Sequence, residues 1–291
     1  MQLHFTKMHG AGNDFIVIDG IHQDLSDMSR AQWRFLADRQ FGIGADQILL
    51  IEKPTRPDAE FKYRIINHDG SEVEQCGNGS RCFVRFVREK NLTDKKQIKV
   101  EVAHTLLTLS EKDHGLVEVN MGAPILDLPI IPFNPKDLES NIVANTTNYL
   151  LPTPQGSFWI TPVSMGNPHA VQVVDSVDEA PVLLTGPLIE HHPSFPARVN
   201  AGFMQIIDRQ TIRLRVFERG SGETLSCGTG ACAAVVAGIL QGLLDSPVAV
   251  HTKGGELLIE WQYLTEGVGA NVMMTGPAAT VFEGKIDVPS L

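Results

Sequence analysis

The chain has 291 residues, 43% of them hydrophobic and 20% charged, with a formal net charge of −10. That length exceeds the usual size of one domain and calls for two, each large enough to bury a core, while the acidic balance argues against nucleic acid or an anionic membrane as partner. No apolar leader stands at MQLHFTKMHGAGNDF, no later apolar run reaches the roughly 18 residues of a membrane span, and four cysteines are too few for a disulfide framework. A cytoplasmic protein with free thiols is the expectation.

In chain order, short apolar runs bounded by Gly, Pro, Asn or Asp predict strands over 15–19, 47–52, 61–67, 98–103 and 116–121. Between the third and fourth, Cys76-Gly77-Asn78-Gly79 leads into a predicted amphipathic helix over 82–90, with Arg81, Arg85 and Arg88 on or near one stripe. The Pro-rich stretch from Pro124 to Pro135 reads as a linker. Further strands are predicted over 170–174, 204–208, 212–217, 248–252, 257–261 and 271–275. Ile212, Leu214 and Val216 alternate with Arg213 and Arg215, the period of a half-buried strand. Cys227-Gly228-Thr229-Gly230 leads into a helix predicted over 231–244, apolar nearly all round, which suits a helix enclosed within a sheet.

The chain repeats itself. The Cys-Gly-x-Gly motif recurs at a separation of 227 − 76 = 151, and Gly12-Asn13 recurs as Gly166-Asn167 at 167 − 13 = 154. Met121-Gly122-Ala123-Pro124 finds a looser echo in Thr275-Gly276-Pro277-Ala278. Three pairs in the same order imply two halves of like fold.

In both copies the cysteine stands just before two glycines and a helix, so its sulfur lies beside unpaired backbone N–H groups at a positive helix end. Such a place favours thiolate, and thiolate can act as a base near neutral pH. A pair of buried core cysteines is the bland alternative, a role that suits Cys82 and Cys232 better. Zinc and thioredoxin-like redox chemistry want C-x2-C pairs, whereas these are C-x5-C and C-x4-C. Gly228 to Ala233 matches a dinucleotide fingerprint, but polar Glu223-Thr224-Leu225-Ser226 precedes it where a buried strand should run. Two equivalent acid–base groups suit inversion of a stereocentre, in which one removes a proton from one face and the other delivers a proton to the opposite face.

The segments MHGAGNDF, NHDGSEVEQCGNGSRC, VSMGNPH, RVNAGFM, RLRVFERGSGETLSCGTGACA and MTGPA together resemble the diaminopimelate epimerases, from the first residues nearly to the last. The resemblance implies an isomerase that interconverts LL- and meso-diaminopimelate in lysine biosynthesis, with no cofactor, no metal and no pyridoxal phosphate. It implies an α/β (α+β) fold of two pseudo-symmetric domains, each a strand-rich sheet wrapped around a central helix, with the active site in the cleft between them. Residues 1–127 would form the first, with 277–291 folding back onto it, and 128–276 the second. It makes Cys76 and Cys227 the catalytic bases, with the backbone at Gly77-Asn78 and Gly228-Thr229 holding the reacting carboxylate. Asn13, Gln47, Asn67, Asn167, Asn200, Glu218 and Arg219 would bind substrate, and His169 and Glu218 would tune the cysteines. Ala45, Ala201 and Phe282 depart from the family's commoner residues, and Phe282 bears on an expected homodimer. The expected partner is a small molecule, not nucleic acid or membrane. A proline or hydroxyproline racemase and a non-catalytic amino-acid-binding protein are the rival readings.

Overall fold

A computed structural model describes residues 1–73, 77–103 and 105–291. The chain divides into two compact units, residues 1–120 with 275–291 and residues 121–274. No helix of the described residues is long and apolar enough to cross a membrane.

The first unit runs β1 (Gln2–Gly10), β2 (Asn13–Asp19), α1 (Arg30–Ala37), β3 (Gln47–Glu52), β4 (Phe61–Asn67), β5 (Glu72–Val73), α2 (Gly77–Glu89), β6 (Gln97–Val102), β7 (Thr105–Glu111) and β8 (Val117–Asn120). β2 lies antiparallel to β1 and parallel to β3, β4 antiparallel to β3 and parallel to β6, and β7 antiparallel to β6 and β8. The last strand of the chain, Ala279–Asp287, returns to pair with the other edge of β1. Ile16, Ile18, Ile48 and Leu50 pack with Trp33 and Leu36 of α1. Their buried neighbours Phe15, Val17, Leu49 and Ile51 face the other way, because side chains alternate along a strand, toward the side where α2 packs on β2 and β3. Burial on both faces is why these runs are continuously apolar instead of alternating. Ser29 starts α1 with a reciprocal capping box to Gln32.

The second unit repeats the plan with β9 (Ser140–Val143), β10 (Thr146–Thr153), β11 (Gly156–Ser164), β12 (Pro168–Val173), α3 (Val182–Glu190), β13 (Asn200–Asp208), β14 (Thr211–Glu218), β15 (Gly222–Glu223), α4 (Gly228–Leu240), β16 (Val248–Thr252) and β17 (Gly255–Trp261). The same alternation of pairings holds from β11 through β12, β13, β14 and β16 to β17. α4 packs against β11, β12, β13, β14 and β17, and each of its residues except Thr229 is buried. Small Ala231, Ala233, Ala234 and Ala237 let the strands close around it, while buried Val235 and Val236 each contribute about 2 kcal/mol of apolar burial.

Both central helices start earlier than expected, at Gly77 and Gly228, and α4 stops at Leu240 short of 244. The early stop has a local cause. Gly242 takes φ +72°, and its N–H and that of Leu243 turn back to the carbonyls of Ile239 and Gly238, a glycine-based helix end.

His169 on β12 is 1% exposed. Burial, with the Arg219 guanidinium second, holds its pKa at about 3. The folded ring is therefore neutral where an unfolded one, with a pKa near ~6.5, takes a proton. As pH falls below ~6.5 only the unfolded chain gains that proton, so stability is lost by roughly 1.4 kcal/mol per pH unit from this residue alone. Above that pH the contribution is constant. His169→Gln should remove this slope, and urea midpoints measured from pH 7 down to pH 4.5 for both proteins check it. Parallel acid limbs would show that His169 is not the buried neutral group.

Candidate active site

Cys227 occupies the N-cap of α4 at φ −115° and ψ 109°, and its carbonyl accepts the first helical bond from Ala231 N–H at 2.9 Å. The N–H groups of the turn before it have no carbonyl of the helix to meet, so they face outward at the positive end of the dipole. The sulfur is buried and lies 3.6 Å from the Thr229 hydroxyl. A Cβ at Gly230 would stand 2.9 Å from Val216 Cγ2 and 3.2 Å from the sulfur, so only glycine lets the helix start this close to the thiol.

The expected thiolate is not what this setting favours. Burial pushes the Cys227 thiol well above its ordinary range, and the Glu218 carboxylate pushes it further. The Thr229 hydroxyl and the Gly230 N–H pull the other way but do not prevail. Cys227 therefore keeps its proton near neutral pH. Cys82 and Cys232 are fully buried inside α2 and α4. Cys76 lies outside the described residues.

The remaining candidate side chains of the first unit gather at one end of its strands. Asn13 heads β2, Gln47 heads β3 beside it, and Asn67 ends β4 directly opposite Gln47. Gln47 Nε2 donates to Asn67 Oδ1 at 2.9 Å, and the buried Gln47 Oε1 has no hydrogen-bond partner among the described residues. Asn78, in the first turn of α2 after Gly77, donates from Nδ2 to Asn13 Oδ1 at 3.2 Å.

The second unit places its candidates at the matching strand ends. His169 of β12 pairs with Asn200 at the head of β13, and Glu218 ends β14. Asn200 Nδ2 donates to the Pro168 carbonyl at 2.8 Å, while Arg219 N–H donates to Asn200 Oδ1 at 2.9 Å. His169 Nε2 lies 3.1 Å from Asn167 Oδ1. Arg219 sends one guanidinium N–H to the Ala197 carbonyl at 3.1 Å. Glu218 accepts a short bond from the Thr224 hydroxyl, a contact that sequence reasoning missed. A hydroxyl residue six positions after an acidic one carries no motif. Its link became visible only once β14 and β15 turned back on each other.

The duplicated frame thus sets a cysteine-led helix start beside amide and carboxylate side chains, an arrangement able to hold a carboxylate and move a proton. The family model for diaminopimelate epimerase matches residues 5–126 and 161–281. A diaminopimelate epimerase of Cupriavidus metallidurans is 63% identical over 291 residues, covering 100% of this chain and 99% of that protein. One of Ralstonia pickettii is 58% identical over 291 residues, covering 100% and 98%. Among solved structures, a hydroxyproline epimerase from Agrobacterium vitis superposes with a TM-score of 0.70 at 15% identity, covering 98% of this chain and 92% of that one. A Bacillus anthracis phenazine biosynthesis protein of the PhzF family gives 0.68 at 14%, covering 99% and 100%. Those two likenesses speak for the fold, whereas the family model and the full-length relatives speak for descent: the chain belongs to the diaminopimelate epimerase family.

Proposed function

We propose that the protein interconverts LL-2,6-diaminopimelate and meso-2,6-diaminopimelate by a two-base proton transfer at one α-carbon, with Cys76 and Cys227 as the bases and no metal or organic cofactor. The observation that carries this reading is the Cys227 thiol at the N-cap of an enclosed helix, in a unit whose plan recurs in the other half around a helix that starts directly after Cys76.

In each direction one sulfur begins as thiolate and takes the α-proton, leaving its electron pair on the carbon and the adjoining carboxylate. The other begins as thiol and gives its proton to the opposite face. The first sulfur ends protonated and the second as thiolate, so charge and protons balance and the reverse reaction uses the same groups in exchanged roles. Burial and Glu218 favour the protonated Cys227, so the resting pair is poised for the direction in which Cys227 is the donor and Cys76 the base. The reverse direction begins from the other arrangement of the same proton. The helix-start N–H groups at Gly77-Asn78 and Gly228-Thr229 stabilise the carboxylate as it gains charge. Asn13, Gln47, Asn67, Asn167 and Asn200 hold the polar groups of the substrate, and Arg219 takes the distal carboxylate. His169, neutral and buried, and Glu218 tune the second thiol. The protein works in the cytoplasm as a homodimer, for which the exposed Val281 and Phe282 on the last strand offer an apolar contact.

Cys76→Ala and Cys227→Ala should each abolish turnover of LL-diaminopimelate while the circular dichroism spectrum and melting point stay close to those of the parent. Cys82→Ala and Cys232→Ala should keep activity and lose stability by about 1 kcal/mol or more from a small core cavity. Substantial turnover by either of the first two variants would sink the assignment, and proline as a control substrate separates it from a racemase.

Conversion of LL substrate in deuterium oxide, stopped early, should give product labelled at the inverted carbon and recovered substrate that is largely unlabelled. Transfer of the original hydrogen into product in both directions would point to a single base instead.

Glu218→Gln removes a negative charge beside Cys227, so it should lower the thiol pKa and raise the thiolate fraction near neutral pH. In a Cys76→Ser background, iodoacetamide should alkylate Cys227 faster in the Gln variant than in the parent at pH 7.5, with the difference narrowing as pH rises. Equal rates at pH 7.5 would remove Glu218 as a cause.

A further inference from the structure

We propose that Asp46 and Arg81 are positioning residues for the reaction: from opposite ends they clamp a chain of two side-chain amides, Asn13 and Asn78, and fix which way round each amide lies. The inference rests on the reading of Asn13 and Asn78 as substrate-site residues given above.

Arg81 is 0% exposed, inside α2. Its Nη2 donates to Asn78 Oδ1 at 2.8 Å, and its Nε donates to the Pro277 carbonyl at 3.1 Å. Asn78 Nδ2 in turn donates to Asn13 Oδ1 at 3.2 Å, and Asn13 Nδ2 donates to Asp46 Oδ2 at 2.8 Å. The chain has a direction. A guanidinium can only donate and an ionised carboxylate can only accept, so with Arg81 at one end and Asp46 at the other, both amides must point oxygen toward Arg81 and nitrogen toward Asp46. Turning either amide over would set N–H against N–H at one contact and oxygen against oxygen at the next. An amide is nearly the same shape both ways round, so nothing but its partners decides its orientation.

The Asp46 end is itself held. Arg39 Nη2 reaches both Asp46 Oδ1 and Asp14 Oδ1 at 2.7 Å, and Arg39 Nη1 reaches Asp14 Oδ2 at 2.9 Å. The two acidic residues exchange backbone bonds, Asp14 N–H to Asp46 Oδ2 at 3.2 Å and Asp46 N–H to Asp14 Oδ1 at 2.9 Å. Lys7 adds a 2.7 Å bond to Asp14 and a short one to the Gly44 carbonyl. Strands β2 and β3 are thereby pinned together at the residues that carry Asn13 and Gln47. At the other end Gly10 gives the guanidinium room, since a Cβ there would stand 3.1 Å from Arg81 Nη2. In the proposed site Asn13 meets a polar group of the substrate through its side-chain amide, so turning that amide over would exchange donor for acceptor there. The orientation of Asn13, held through Asn78, is thus a binding determinant separate from the proton transfers at sulfur.

The Asp46 side chain is 47% exposed, so its replacement tests the clamp without emptying the core. Asp46→Ala and Asp46→Asn should raise KM for LL-diaminopimelate about tenfold or more, the scale of a lost hydrogen bond to a charged group, with kcat changed far less and the melting point within a few degrees of the parent. Asp46→Glu, which keeps an acceptor-only end, should recover most of the loss. Without any substrate, the side-chain NH2 resonances of Asn13, assigned by their disappearance in Asn13→Ala, should shift in Asp46→Ala and much less in Asp46→Glu. A KM within twofold of the parent in both the Ala and Asn variants, or Asn13 resonances unmoved by Asp46→Ala, would overturn the clamp. A parent protein that does not turn over LL-diaminopimelate would instead overturn the proposed function, while the substrate-free resonances still decide whether the clamp exists.

Discussion

A helix wrapped by its own sheet can offer polar groups only at its ends. α4 is buried along its whole length apart from Thr229, so its backbone can meet a charged ligand at its N-terminus, where the first-turn N–H groups have no helical partner. Everything else at the site follows from that restriction. Residues able to work with that end must come from strand ends that reach the same level, and they do: Asn200 heads β13 and Glu218 closes β14. In the first unit Asn13, Gln47 and Asn67 hold the same kind of position. Chemistry sits at strand termini and helix starts because the flanks of both elements are already spent on the core.

The same enclosure decides the state of the thiol. A helix end draws a neighbouring cysteine toward thiolate by a fraction of a charge, but removing the sulfur from water works in the opposite direction, and the Glu218 carboxylate adds to it. Burial wins at Cys227. In the proposed reaction, a donor that must hold a proton until a carbanion forms is better served by that outcome than by a resting thiolate.

Much of this was legible in the residues, and what was not has identifiable causes. Strands buried on both faces, such as β2 and β3, announced themselves as unbroken apolar runs. β1 did not, because Lys7 is buried in its middle and satisfied by Asp14 and Gly44, a polar interruption that reads as loop. α3 contains Gly186 and Pro187, which read as punctuation, yet a Cβ at position 186 would strike the Phe217 ring at 2.6 Å. There glycine serves packing, not a turn. The placing of the motif cysteines ahead of helix starts could be read directly. The raised pKa of Cys227 could not, since depth of burial is a property of the closed sheet. Asp46 was missed because a lone acidic residue in a loop is normally just solvated.

The two halves share a plan but not an electrostatic environment. At the separation of 151 that relates the motifs, Asn67 corresponds to Glu218, Asn78 to Thr229 and Arg81 to Cys232. The second unit therefore sets an anion beside its helix start, while the first has a neutral amide in that place and a buried cation one turn into its helix. A two-base inversion needs only that the pair hold one proton between them, which two equivalent thiols also do in two equivalent ways. In the proposed reaction the inequality instead biases which sulfur holds that proton at rest. Duplication carries the cysteine-led helix start into both halves, and on the proposed reading divergence at these few positions biases the resting proton toward Cys227, where burial and the Glu218 carboxylate both raise the thiol.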